Sequence, residues 1–203
     1  MPTKALLRPA TPEDVEVLAE LWVSTFPDKF GPILGQNAQA VLVDWLRLSQ
    51  RHVQTTTIIE AEGQVAGYMM LDTPSAPRPD SGRWLWHALQ LHHGIIGALR
   101  GFSLMVLVHQ GHTPAADEIY IEMVGVAPAF RGRGLARQLL GYAEFIATQE
   151  GVSRLCLSVV DGNRAAINLY QKLGFEITGQ QKSRLLQWLT GYHGYYEMTK
   201  SIA

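Results

Sequence analysis

The run Val124-Gly125-Val126-Ala127-Pro128-Ala129-Phe130-Arg131-Gly132-Arg133-Gly134-Leu135-Ala136-Arg137 joins a β-branched stretch to an amphipathic one through a loop of alternating arginine and glycine. Such a loop can seat an anion. The first turn of a helix leaves about four backbone N–H groups without intrahelical partners, at the positive end of the helix dipole. With the preceding loop amides they form a place for phosphate. Gly132 and Gly134 remove the Cβ that would hold a phosphate away, and Ala136 keeps the next position small. Arg131, Arg133 and Arg137 add charge that does not depend on backbone geometry. The spacing is not that of a dinucleotide fingerprint, and no Lys-Ser/Thr pair follows as in a P-loop. Glu122 stands two residues before Val124. On a regular strand both side chains share one face, where a carboxylate could take a proton directly or through water.

Other reactive types are less promising. Cys156 alternates with apolar neighbours and reads as core. The seven histidines show no ligand spacing, so no metal is expected. His109 and His112 flank the approach to a later strand and are minor candidates for touching a substrate.

These groups need elements to hold them. Residues 5–7 predict an edge strand, and Thr11-Pro12-Glu13-Asp14 a helix start with a hydroxyl cap and proline in the first turn. Val15, Leu18, Trp22 and Phe26 follow at helical spacing, broken by Pro27 and Gly31-Pro32. A second helix is expected from about Asn37. Residues 53–59 and 65–71 predict a hairpin turning at Glu62-Gly63-Gln64. Residues 118–126 read as a strand, 134–151 as a helix and 155–160 as a buried strand. Asp161-Gly162-Asn163 then turns into a helix ended by Gly174. Leu185-Leu186 and residues 194–198 predict two closing strands. The order βααββ, insertion, βαβαββ implies a mixed sheet with helices on its faces. No repeat or linker divides the chain, so 1–203 is expected to be one domain.

Composition agrees with a globular domain. Of 203 residues 47% are hydrophobic and 17% charged, and 17 Lys+Arg against 18 Asp+Glu leave a net charge of −1. Nothing global draws such a chain to nucleic acid. A single cysteine and an N-terminus without a long apolar run suit a reducing cytosol and show no signal peptide, so a cytoplasmic location is expected. Between Trp84 and Ala116 the one formal charge is Arg100. Polar residues interrupt this stretch, and neither half reaches the roughly 20 apolar residues of a membrane span. It reads as an apolar excursion of a soluble domain.

Arg131, Gly134 and Ala136 match the Arg/Gln-x-x-Gly-x-Gly/Ala motif of the GCN5-related N-acetyltransferase (GNAT) superfamily. About thirty residues on, Asn163 opens a helix, and Leu169-Tyr170 with Gly174-Phe175 matches that superfamily's Leu-Tyr-x-x-x-Gly-Phe signature. From Glu118 to about Gly179 the chain resembles these proteins. The resemblance implies an α/β (α+β) GNAT fold: a mixed, mostly antiparallel sheet of about seven strands, about four helices, and a helical insertion over about 74–117 between the third and fourth strands. It implies acetyl-CoA as co-substrate, no metal, and transfer of acetyl to a primary amine by direct attack in a ternary complex. The strand before the cradle would splay from its neighbour, and Gly125 suits a bulge or close approach there. Backbone groups of Val124 and Val126 would bond pantetheine, with the Val124 N–H as oxyanion donor. Arg131, Gly132, Arg133, Gly134, Leu135, Ala136 and Arg137 would hold the pyrophosphate, and Asn163 would reach the pantetheine arm. Tyr170 occupies the family's acid position and Glu122 a frequent place for its base. Relatives that acetylate a ribosomal protein's N-terminus carry a glutamate where this chain has Ser158, which shifts weight to Glu122 or ordered water.

Acceptor specificity would come from residues 26–36, the insertion, and the aromatic tail Trp188, Tyr192, His193, Tyr195 and Tyr196. Asp28, Asp72, Asp80 and Asp117 are scattered, so a polycation is disfavoured. An amine with an apolar or aromatic body, or a protein terminus, is expected instead. The insertion would form one or two short helices hiding Trp84, Trp86, Ile95 and Ile96, against the site or in a homodimer contact. Two other readings are a non-catalytic acyl-CoA-binding module and a membrane-peripheral acyltransferase using residues 84–110.

Overall fold

Period-two and period-3.6 patterns alternate along the chain, and the computed structural model, which describes residues 5–77, 82–108 and 114–202, turns them into strands and helices in that order. Strand β1 (Ala5–Pro9) leads through a capped turn to helices α1 (Val15–Thr25), α2 (Pro27–Leu34), α3 (Ala38–Leu48) and α4 (Gln50–Gln54). Then come β2 (Thr56–Ala61), β3 (Gln64–Asp72), α5 (Arg83–Val108), β4 (Glu118–Val126) and α6 (Leu135–Glu150). The chain closes with β5 (Arg154–Val160), α7 (Arg164–Lys172), β6 (Glu176–Lys182), α8 (Arg184–Thr190) and β7 (Gly194–Ser201). The seven strands form one sheet in the order β1-β2-β3-β4-β5-β7-β6, antiparallel except for the parallel pair β4–β5.

Helices α1, α2, α3 and α5 cover one face, where Leu18, Trp22, Phe30, Leu42 and Leu89 pack on Ile58, Tyr68 and Met123. Helices α6 and α7 cover the other, with Leu135, Leu139 and Ile167 on Ile119, Ile121, Leu155 and Leu157. Burying a side chain of this size contributes about 1.5–3 kcal/mol. The start of α1 is held by the Asp14 carboxylate rather than by a Thr11 hydroxyl cap: the Thr11 N–H donates to Asp14 Oδ2 at 2.7 Å, the Thr11 hydroxyl donates to the same oxygen at 2.9 Å, and Arg8 clamps both Asp14 oxygens at 2.8 Å.

Several boundaries differ from the sequence reading. Residues 53 and 54 end α4, and β2 starts only at Thr56; Arg51 and Val53 of this short helix are buried under the sheet. Leu185-Leu186 belong to α8, whose cap Ser183 accepts from the Leu186 N–H at 3.2 Å. The strand lies just before it, in the polar, exposed β6, which has no apolar alternation to betray it. Gly31-Pro32 sit inside α2, and the break falls at Phe26 (φ −128°, ψ 57°), with Pro27 opening the next helix. There are eight α-helices among the described residues rather than about four. The insertion is helical as expected, bent at Gly94 (φ 64°). Leu85, Ala88 and Leu89 are buried, and Trp86 stacks edge-on with Phe102. Ile95 and Ile96 are exposed rather than hidden. His109, His112 and Asp80 lie outside the described residues.

Candidate active site

The parallel pair β4–β5 holds only from Glu118↔Arg154 to Ile121↔Leu157; beyond it the two strands part. Which backbone groups face the gap follows from the other side of β4. Antiparallel partners alternate between bonded and non-bonded pairs. The Ala127 N–H donates to the Ala66 carbonyl at 2.9 Å, so Tyr68–Gly125 is the next bonded pair. The N–H and C=O groups of Val124 and Val126 therefore point away from β3, into the gap. The Val126 carbonyl there accepts from Arg131 Nε at 3.2 Å.

At the end of β4 the loop rises to α6. Gly132 (φ 76°) and Gly134 (φ 79°) both take left-handed backbone, and a Cβ on either would meet no protein atom within 4 Å. Glycine is needed there for its conformation, and the space above is open. Gly134 caps α6 without any side-chain acceptor, so the first-turn N–H groups face outward. Arg131, Gly132, Gly134, Leu135, Ala136 and Arg137 line a cavity of about 1330 Å³. Arg133 turns away, donating to Glu62 at 2.6 Å and to the Ala129 carbonyl at 3.2 Å. These features fit a pyrophosphate on the helix N-terminus and an extended, amide-bearing arm in the gap.

The same cavity is lined by Asn163 and Tyr170 of the α7 segment. Asn163 caps α7, its Oδ1 accepting from the Ala166 N–H at 3.1 Å. Tyr170 is buried, its ring tilted against Phe175, and its hydroxyl has no hydrogen-bond partner among the described residues. Burial alone pushes its phenol up to about 12. Cys156 stays out of the cavity, with Sγ 3.5 Å from Glu118 Oε2 and its thiol pushed up by burial.

Glu122 is half-buried at the far end of the gap. Met70 pairs with Met123 but Leu71 with Ile121, so Glu122 is the extra residue of a β-bulge. The bulge corrects the expected shared face. Ile119 and Ile121 point to the α6 side, Met123 to the α1 side, and Val124 back to the α6 side. Glu122 thus faces Arg51, away from the Val124 side chain. Gly125 is not the bulge: a Cβ there would meet the Tyr68 ring at 2.8 Å and Thr25 Oγ1 at 2.9 Å, so its glycine answers to close packing.

Sequence reasoning missed what surrounds Glu122. Arg51, 5% exposed, donates through Nη2 to Asp72 at 2.8 Å and to Glu122 at 3.1 Å, and through Nε to the Pro77 carbonyl at 2.8 Å. Burial raises the Glu122 carboxyl above the usual carboxylate range, opposed by the Arg51 charge. Lys29 on α2 also lines this end; desolvation lowers its ammonium, opposed by Glu122. The His52 ring lies tilted against Trp45 with centroids 4.5 Å apart, and Ser49 Oγ lies 2.9 Å from its Nδ1. Of the aromatic tail, Tyr192 and Tyr195 line the cavity, whereas Trp188 is exposed. The Tyr192 hydroxyl donates to Asp28 Oδ2 at 2.9 Å, tying the loop after α8 to α2 across the cavity. No signal in the sequence joined these residues. Among the described residues no group of three or more His, Cys, Asp or Glu side chains is placed to hold a metal ion, and no helix is long and apolar enough to cross a membrane.

The fold is shared with solved acetyltransferases. A crystal structure of an acetyltransferase superposes with a TM-score of 0.69 at 21% identity, covering 98% of this chain and 100% of that one. An N-acetyltransferase from Staphylococcus aureus Mu50 gives 0.67 at 22%, covering 96% and 99%. The acetyltransferase (GNAT) family model matches residues 15–175, and the chain belongs to that family. Streptothricin acetyltransferase of Streptomyces lavendulae is 33% identical over 86 residues, 42% of this chain and 43% of that protein. Thialysine N-epsilon-acetyltransferase of Mus musculus is 31% identical over 74 residues, 36% and 42%. The chain thus spans about two fifths of the length of these curated relatives.

Proposed function

We propose that the protein is an acetyl-CoA-dependent N-acetyltransferase acting on a primary amine by direct attack within a ternary complex. The observation that carries this reading is one cavity lined at one end by the Arg131–Arg137 cradle, along its length by the parted strands and Tyr170, and at the other end by Glu122. Acetyl-CoA, when bound, supplies the acetyl group as an activated thioester and leaves as the free thiol. The amides of Gly132, Gly134 and Leu135 with Arg131 and Arg137 hold the diphosphate, and Val124 and Val126 offer backbone groups to the arm. The Val124 N–H is the donor for charge developing on the carbonyl oxygen.

Glu122 accepts the proton that the acceptor must lose. An alkylammonium titrates near about 10.4, so the amine is mostly charged at neutral pH. A carboxyl raised by burial is a better match for that proton than an exposed one. Tyr170 remains protonated and donates toward the departing sulfur. The thialysine and streptothricin acetyltransferases among its relatives support an amine as acceptor. Thiol release from acetyl-CoA over a panel of primary amines, with mass detection of the acetylated product, tests the reading. Glu122→Gln should lower kcat/KM by roughly 10²–10⁴-fold. Acetyl-CoA binding without turnover of any amine would leave only a coenzyme-binding module.

A further inference from the structure

The Lys29 ammonium has no hydrogen bond or ion pair with any described residue, the backbone N–H alone being engaged by the Phe26 carbonyl; its Nζ sits 5.5 Å from the Phe30 ring centroid. The other cation at this end of the cavity, Arg51, is fully engaged by Asp72, Glu122 and the Pro77 carbonyl. Asp28 is likewise occupied, by the Tyr192 hydroxyl. The wall around them is apolar, including Trp22, Phe26, Phe30 and Leu85. An ammonium is a donor-only group, and taking it out of water without a partner is costly. Lys29 and Glu122 line the same cavity, near enough for each charge to favour the other, so it offers Glu122 to a positive group and Lys29 to a negative one.

We propose that the acceptor is a primary amine that also bears a carboxylate, with Lys29 holding the carboxylate while the amine faces Glu122. This rests on the N-acetyltransferase reading and adds the class of its acceptor. A carboxylate suits Lys29 better than a phosphate, because a single lysine stands among Asp28, Asp72 and Glu122, which together repel a dianion. The apolar wall selects an amino acid with an apolar or aromatic body.

The test compares α- and ω-amino acids with their carboxamides as acceptors, reading thiol release in the wild type, Lys29→Met and Lys29→Arg. The carboxylate and amide forms differ in amine pKa, so the quantity read is the change in their kcat/KM ratio between variants, in which that difference cancels. Lys29→Met should lower the carboxylate-to-amide ratio by about tenfold to a hundredfold, the worth of a charge-assisted hydrogen bond, and Lys29→Arg should restore most of it. A ratio equal in wild type and Lys29→Met overturns the acceptor assignment and leaves the transferase standing. Absence of thiol release with every amine, acid or amide, overturns the transferase reading itself and the assignment with it.

Discussion

Replacing Tyr170 by phenylalanine removes one oxygen and isolates the proposed proton donor. Burial holds the phenol at about 12, whereas a free thiol titrates near about 8.5. Complete transfer of the proton to a free thiolate is therefore uphill by roughly 3.5 units, or about 5 kcal/mol. The phenol thus serves as a hydrogen-bond donor to sulfur as its charge grows, and less as an acid that ionises. A hydrogen bond to a charged group is worth about 1.5–3 kcal/mol, equivalent to roughly 10–150-fold in rate. This overlaps the low end of general acid catalysis, about 10²–10⁴-fold. The expected outcome is a fall in kcat of about a hundredfold, with a much smaller change in acetyl-CoA affinity. Thermal stability should hold or rise slightly, since the hydroxyl has no partner among the described residues to lose. A phenol at about 12 stays protonated across ordinary assay conditions, so the wild-type rate profile should show no alkaline limb from Tyr170 at moderately basic pH. Stopped-flow or coupled thiol detection over a pH series reads both quantities. A loss below about threefold, or an alkaline limb near pH 8–9 that vanishes in the variant, would falsify the donor role.

Arg51→Met should destabilise the fold by about 3–5 kcal/mol in denaturant melts, because it leaves Asp72 and Glu122 without their buried cation. Arg51 lowers the Glu122 carboxyl, so its loss should also move the acid limb of kcat/KM to higher pH; a limb that stays put removes Glu122 as its source. Gly134→Glu should abolish acetyl-CoA binding in calorimetry by adding a carboxylate at the cradle, whereas Gly134→Ala should weaken it modestly through left-handed strain of about 1–2 kcal/mol. Asp14→Asn should cost about 1–2 kcal/mol at neutral pH, once solvent screening at the partly exposed Arg8 is allowed for. The Asp14 carboxyl is held down to about 2, so its contribution is complete above the ordinary carboxylate range and lost as pH falls through 2. A stability difference between wild type and variant that persists unchanged below that pH would contradict the assignment.

The glycine loop and the helix N-terminus that follows it were legible because they are made by neighbours in sequence. Two glycines with positive φ and the first turn of α6 need only local backbone rules, and Asn163 capping α7 is local in the same sense. The hairpin, the buried strand β5 and the amphipathic α6 likewise announced themselves by period. Strand β6 did not, because it is exposed along nearly its whole length and its pairing with β7, not apolar alternation, makes it a strand. The Glu122 end of the cavity was invisible for a related reason. Arg51 reaches Glu122 across 71 positions and Tyr192 reaches Asp28 across 164. The bulge that turns Glu122 toward Arg51 exists only in the register of β4 against β3. Local hydrogen bonding is written in consecutive residues, so the sequence alone determined the left-handed glycine loop and the uncapped first turn of α6. Which charges meet beyond them depends on how α2, α4 and the β7 approach pack over the sheet, and tertiary structure decided that.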